Sequence, residues 1–222
     1  MRKMARIAKT VDQQLAELSR LNVMKQARGD ADAVSAAART LSEENGGDNN
    51  VLVGLHPRWF FASDLAPLLR RAGKPGFVVE DMVDVDEFAP AGIELPDDPL
   101  YPVHDVQRGD QYQNESPKEV LPQLMARVRR PLTLQEGLSW AHTHPEVIEA
   151  NSCFMTIGSR KAKRTNPAGD TVYDARTPAI WNASGAGRDG KHRKNAPKLG
   201  WCWWGNRHTW LGVASAAQTS PQ

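Results

Sequence analysis

The sequence predicts an α+β domain in which helices pack against a largely antiparallel sheet that ends in a C-terminal β-meander. Two observations lead to this prediction. Capping boxes of the S/T-x-x-E type mark three helix starts between residues 116 and 146. From residue 153 onward the apolar residues alternate, as they do in strands. With 222 residues, 40% of them hydrophobic, the chain can form one sizeable core.

The first 50 residues are predicted to form a helical arm. Val11, Leu15 and Leu18 lie near helical spacing within an amphipathic helix over residues 5–24, and an alanine-rich helix follows over residues 30–44. The Gly- and Asn-rich residues 46–50 end it and serve as a linker. Large apolar groups are few here. We therefore expect a docking arm, a helix pair that dimerises to give a homo-oligomer, or a partly mobile tail.

A single α+β domain is predicted over residues 51–217, followed by a disordered tail at 218–222. Strands are expected at 51–55, 77–83 and 100–106, and Pro102 places the last of them at a sheet edge. A short helix carrying Leu65, Leu68 and Leu69 should separate the first two strands. The three capping boxes begin at Ser116, Thr133 and Thr143 and predict a helix after each.

The C-terminal meander is predicted to contain four antiparallel strands, at residues 153–159, 178–183, 199–204 and 207–214. Two long basic loops, 160–177 and 184–197, should separate the first three. The Gly205-Asn206 pair, flanked by aromatic runs, is typical of a two-residue hairpin turn between the last two strands.

The predicted hairpin contains the candidate ligand-binding residues. A two-residue turn pairs Trp203 with His208 and Trp201 with Trp210, so strand alternation sets His208 among three indoles on one face. Together with Asn206 at the turn, these residues could bind a small polar or aromatic molecule, as an enzyme or as a binding protein. The alternative is that the tryptophans only fill the core of a structural or interaction protein.

The charge distribution suggests another function. Residues 80–119 hold twelve acids and two basic residues, whereas residues 158–198 hold ten basic residues and three acids. The basic loops could therefore contact phosphates as a sequence-independent nucleic-acid module. The candidate basic residues are Arg160, Lys161, Lys163, Arg164, Arg188, Lys191, Arg193 and Lys194.

Other site chemistries have little support in the sequence. Cys153 and Cys202 are far apart, no C-x₂₋₄-C or H-x₃₋₅-H pair occurs, and we predict neither a metal nor a cofactor. The P-loop, zinc-protease and serine-hydrolase motifs are absent, which leaves the question of enzymatic activity open. Without a signal-peptide pattern or an apolar run long enough for a membrane, we expect a cytoplasmic protein with no membrane partner.

Several segments resemble a family of uncharacterised actinobacterial proteins, classed as a domain of unknown function. The most specific are PKLGWCW at 197–203 and GNxHTWLG at 205–212, supported by GKPGFVV at 73–79, VHDV at 103–106, HPE at 144–146 and NSCF at 151–154. The likeness spans roughly residues 51–217, and both basic loops are longer here than in that pattern. The resemblance implies one compact bacterial cytosolic domain and supplies no reaction, cofactor or catalytic residue.

Overall fold

The computed structural model describes residues 8–150 and 153–218, and within them the α+β prediction is confirmed. The α-helices are α1 (Val11–Arg20), α2 (Ala31–Asn45), α3 (Ala62–Leu65), α4 (Pro117–Ala126) and α5 (Leu134–Thr143). The strands of the first half are β1 (Val51–Leu55), β2 (Arg70–Arg71), β3 (Lys74–Pro75), β4 (Phe77–Val78), β5 (Phe88–Pro90) and β6 (Leu100–His104). Those of the second half are β7 (Arg129–Pro131), β8 (Cys153–Met155), β9 (Ser159–Thr165), β10 (Thr171–Tyr173), β11 (Arg176–Asn182), β12 (Pro197–Trp203), β13 (Leu211–Val213) and β14 (Ser215–Ala217).

The largest sheet has five strands in the order β13-β8-β11-β12-β4. Its three central strands are antiparallel, whereas β13 and β4 join the two edges in parallel. The longest ladder joins β11 to β12, from Arg176 opposite Trp203 to Asn182 opposite Pro197. A second sheet pairs β1 with β6, a third has the order β10-β9-β5, and β14-β7 and β2-β3 form short pairs.

Helix α5 lies at the centre of the molecule, and all ten of its residues are buried. It packs on β1 and on β11, and a side chain at Gly137 would collide with Thr156 beyond β8. Trp140 of α5 is fully buried against Phe154, with ring centroids 5.4 Å apart. The polar side chain of Glu136 can be buried in this helix because its carboxylate is paired. It meets Arg130 at 2.7 Å and accepts a hydrogen bond from the Tyr101 hydroxyl at 3.0 Å.

Two of the three capping boxes are confirmed. Ser116 and Thr133 each cap a helix, with the glutamate three residues later completing the box. The third prediction is wrong. Thr143 ends α5, its hydroxyl donates to the Ser139 carbonyl, and only a 3₁₀ turn follows at Pro145–Val147, with no side-chain cap.

The helices of the predicted arm pack on the sheet formed by β1 and β6. Buried Gln14 of α1 binds the backbone of β1 through both ends of its side-chain amide, because its NH₂ group donates to the Val51 carbonyl at 2.7 Å and its oxygen accepts from the Val53 N–H at 3.0 Å. The apolar side chains of both helices belong to the main core cluster: Val11, Leu18, Val34 and Leu41. The domain boundary near residue 50 and an oligomer through these helices stay predictions, and residues 1–7 and 219–222 lie outside the described part of the chain.

The hairpin predicted across Gly205-Asn206 is not formed. Strand β12 pairs with β11 and β4, whereas β13 pairs with β8 on the far side of the sheet. The turn comes one residue earlier than predicted, since the Asn206 amide donates to the Trp203 carbonyl at 3.0 Å. The chain then passes the residues just before α4, where the Asn114 N–H donates to the His208 carbonyl, before it reaches the opposite edge of the sheet.

The predicted basic loop at 160–177 is also corrected. It contains a β-hairpin, in which β9 and β10 pair antiparallel around a turn held by the Asn166 side chain. On its other side β9 pairs with β5, from Phe88 opposite Lys161 to Pro90 opposite Ser159. The hairpin therefore pairs with a strand of the acidic segment 80–119. This contact brings the two oppositely charged segments together.

Candidate functional site

The structure divides the five predicted site residues into separate groups. Trp201 and Trp203 lie on one face of β12, with ring centroids 4.5 Å apart, and the Trp201 indole donates to Asp81 at 3.3 Å. Trp203 is 46% exposed. These two indoles form a surface pair and do not enclose a cavity with His208.

His208 and Trp210 lie in the irregular segment between β12 and β13. Their ring centroids are 5.6 Å apart, and Trp210 meets Trp181 of β11 at 6.0 Å. Asn206 is exposed at the turn. The buried His208 Nε2 has no hydrogen-bond partner among the described residues, and burial lowers the pKa of this imidazole. His208 therefore contacts one of the three predicted indoles, and the binding role of the five residues stays a prediction.

The fourth indole of the segment, Trp204, lines a cleft that we call the arginine cleft. The Arg160 guanidinium carbon lies 3.9 Å from the centroid of the Trp204 ring and 5.3 Å from that of Tyr173. The cleft has a volume of about 610 Å³. The other residues that line it are Ala91, Gly92, Ile93, Leu121, Met125, Arg129, Arg130, Pro131, Ile157 and Gln218.

Among the described residues, Arg160 has no acidic partner, which sets it apart from the other two arginines of the cleft. Arg129 pairs with Asp105, and Arg130 pairs with Glu136. Within the described residues, Arg160 forms no ion pair; its Nη2 donates to the Asp174 carbonyl at 2.7 Å, and its buried Nε has no acceptor. Burial lowers the pKa of Arg160, because removing the guanidinium from water disfavours its charged form. The cleft thus contains one cation that forms no ion pair with a described residue.

The position of Trp204 is fixed from two sides. Its amide donates to the Ala175 carbonyl at 2.7 Å, and its own carbonyl accepts from the Lys118 amide of α4 at 3.2 Å. Next to it, Arg207 forms an ion pair with Glu119, which also completes the α4 capping box. These contacts fix the backbone at Trp204 relative to α4, which also contributes Leu121 and Met125 to the cleft.

Some of the other candidate basic residues already contact groups of this chain. Lys161 pairs with Asp84 at 2.7 Å and with Glu87 at 2.9 Å, and the Arg193 guanidinium lies 4.4 Å from the Phe77 ring centroid. Lys163 and Arg164 are exposed on β9. Nucleic-acid binding by the segments 160–177 and 184–197 stays a prediction.

Neither cysteine is placed for nucleophilic chemistry. Both are buried, and burial raises the pKa of the Cys202 thiol to about 12. Within the described ranges, no group of three or more His, Cys, Asp or Glu side chains could hold a metal ion. In the same part of the chain, no helix has the length and apolar content needed to cross a bilayer.

The charge pattern predicts Arg160 in a phosphate-binding loop and gives no indication of Tyr173. The available signal was the turn sequence Asn-Pro-Ala-Gly-Asp at 166–170, followed by Thr171-Val172-Tyr173. A turn between two runs of strand-forming residues predicts a hairpin. That hairpin would have placed Arg160 and Tyr173 on adjacent strands.

One family model, described as a family of unknown function (DUF5701), matches residues 7–222. No curated protein and no solved structure matches the chain. The resemblance to a domain of unknown function is therefore confirmed. The actinobacterial assignment stays a prediction.

Proposed function

We propose that this chain, which belongs to that family of unknown function, binds a small carboxylate with an aromatic or other apolar body in the arginine cleft. The observation on which the proposal rests is the Arg160 guanidinium, which stacks on Trp204 and has no acidic partner among the described residues. The ligand's carboxylate would provide that partner.

The chemistry of the guanidinium favours a carboxylate. Arginine presents donors in a planar fork that matches two carboxylate oxygens, and charge-assisted hydrogen bonds of this kind are stronger than neutral ones. Stacking on Trp204 holds the plane of the fork, so less side-chain freedom is lost on binding. Of the three guanidinium nitrogens of Arg160, only Nη2 donates to an acceptor among the described residues.

The remaining lining favours an apolar body. Leu121, Met125 and Ile157 contribute aliphatic surface to the cleft that Trp204 also lines. A volume of about 610 Å³ lies within the range of roughly 300–1,000 Å³ that small-molecule sites occupy. The earlier ligand-binding hypothesis is thus kept, but its aromatic wall is Trp204 instead of Trp201, Trp203 and Trp210.

The test uses 2-naphthoate and its neutral isostere 2-naphthamide. Binding is followed by NMR at the Trp204 indole N–H, which reports on this cleft. We expect naphthoate to shift that signal and to bind at least tenfold more weakly to Arg160→Met. Arg164→Met, farther along β9 and exposed, is the matched control and should bind as the wild type does.

Three results would refute the proposal: no naphthoate binding to the wild type, equal affinity in Arg160→Met, or equal effects of naphthoate and naphthamide at Trp204. A filter-binding assay at low salt tests the nucleic-acid alternative with the same variants. Retention of nucleic acid that Arg164→Met weakens as much as Arg160→Met would favour a basic surface over the cleft.

A further inference from the structure

A second cleft lies on the other side of the segment that follows β5, and we call it the His56 cleft. Its volume is about 590 Å³, and it shares Ile93 with the arginine cleft. Its apolar lining includes Phe61, Phe88 and Leu95. Its polar lining comprises His56, Arg58, Asp86, Asp97 and Gln135.

His56 presents a hydrogen-bond donor to this cleft. The residue is 6% exposed, follows β1 directly, and its ring packs edge-on against Tyr101 with centroids 6.3 Å apart. Its Nδ1 accepts the backbone N–H of Arg58 at 3.1 Å. In the neutral ring the proton must therefore be on Nε2, which has no hydrogen-bond partner in the described ranges.

Gln135 contributes a buried side-chain amide to the lining of the same cleft. It lies in the first turn of α5 and is 3% exposed. Its buried Oε1 receives no hydrogen bond from any described residue. A buried acceptor without a donor is costly, so a ligand N–H group that reaches this atom removes that cost.

The charges of the His56 cleft disfavour an anion. Its single cation, Arg58, already pairs with Asp97. Asp86 accepts hydrogen bonds from the Ser63 amide and hydroxyl and forms no ion pair with a described residue. The lining therefore has more acidic than basic groups, and the polar atoms of His56 and Gln135 that lack a partner among the described residues belong to neutral side chains.

We infer that the His56 cleft binds a neutral amide, either a carboxamide or a cyclic amide, attached to an apolar body. The amide carbonyl accepts from His56 Nε2–H, and the amide N–H donates to Gln135 Oε1. Phe61, Phe88 and Leu95 contact the body. This inference does not depend on the proposed function, since neither side chain that binds the amide lines the arginine cleft.

The test is an NMR titration with 2-naphthamide, following the Gln135 side-chain amide and the imidazole nitrogens of His56. We expect both sets of signals to shift, and 2-naphthoate to bind there at least tenfold more weakly. His56→Asn retains an acceptor near the Nδ1 position but removes the Nε2 donor, and it should weaken amide binding at least tenfold. His56→Gln, which carries a donor near the Nε2 position, should stay within threefold of the wild type.

Gln135→Met provides a second test in case the histidine variants do not fold, because it keeps the length of the side chain and removes the acceptor. It too should bind the amide at least tenfold more weakly. Wild-type affinity in Gln135→Met, no shift at Gln135 and His56, or equal binding of naphthoate at these signals would overturn the inference. Arg160→Met should bind the amide normally, so failure at one cleft is distinguished from failure at the other.

Discussion

The two clefts are nearly equal in volume and meet at Ile93, but they differ in how their polar groups are compensated. In the arginine cleft, the free group is a cation, Arg160, stacked on an indole. In the His56 cleft, the free groups are a neutral donor and a neutral acceptor, and the cation is paired. Size alone does not distinguish the two clefts. The class of ligand that each one binds therefore follows from the polar and charged groups that the fold leaves unpaired there.

The two clefts also differ in the elements that build them. Gln135 is fixed by the buried helix α5 and His56 by the end of β1. Arg160 and Tyr173 belong to the β9-β10 hairpin, and Trp204 to the segment after β12. The His56 cleft therefore relies on the core, whereas the arginine cleft relies on the position of a hairpin at its edge.

The largest expected effect comes from Asp84, which links the two regions. Its carboxylate meets Arg176 of β11 at 2.5 Å and Lys161 of β9 at 2.7 Å, and Asp86 and Phe88 of the His56 cleft follow it closely in the chain. Asp84→Ala leaves two partly buried cations without this partner and should lower the free energy of unfolding by about 3 kcal/mol. Urea unfolding of the wild type and the variant measures this change in the free energy of unfolding.

The matched control is Glu43→Ala, on the exposed face of α2, with an expected change of at most about 0.5 kcal/mol. If Asp84→Ala destabilises no more than this control, the ion-pair network does not support either cleft.

Acid should destabilise the core that positions the His56 cleft. Burial lowers the pKa of His142 to about 4 and that of His144 to about 4, and the His144 Nε2 accepts the backbone N–H groups of Ala8 and Lys9. Both folded-state values lie below the ordinary 6.5, so the unfolded chain binds more protons as the pH falls. The stability is full above about pH 6.5 and is lost progressively toward pH 4.

For His142 alone, the expected loss between pH 7.5 and 4.5 is on the order of 2–3 kcal/mol. Urea unfolding at several pH values measures the slope, and His142→Leu should reduce it. A slope that is the same in this variant would mean that His142 is not the buried neutral group that the fold requires.

A smaller effect separates the indoles of the Trp-rich segment. Trp204→Ala removes the ring on which Arg160 stacks, and it should weaken naphthoate binding by roughly 1 kcal/mol, about fivefold, without changing amide binding. Trp203→Ala is the control, since Trp203 is exposed and lies outside the lining of both clefts. An equal loss in both variants would restore the earlier prediction that the site lies on the β12 face.

The sequence predicted the elements whose signals are local. The α+β class, β1, β6 and the helix starts at Ser116 and Thr133 follow from periodicity and from side chains that cap their own helix. The site was not predictable in this way. His56 and Gln135 are 79 residues apart in the sequence, and each has an ordinary local setting. The Gly205-Asn206 signal misled because Trp204 and His208 bind backbone groups of the region around α4, a long-range contact that overrides turn propensity.

The smallest effect is the response of the two clefts to salt. Binding of naphthoate to Arg160 contains a charge–charge contribution at a partly exposed site, so raising NaCl from 50 to 300 mM should weaken it about two- to threefold. Amide binding to His56 and Gln135 involves neutral groups and should change by less than about 1.3-fold. Titrations of both ligands at the two salt concentrations measure this difference. If the affinity for naphthoate is as insensitive to salt as that for the amide, the carboxylate does not meet Arg160, and the contrast between a charged and a neutral cleft is lost.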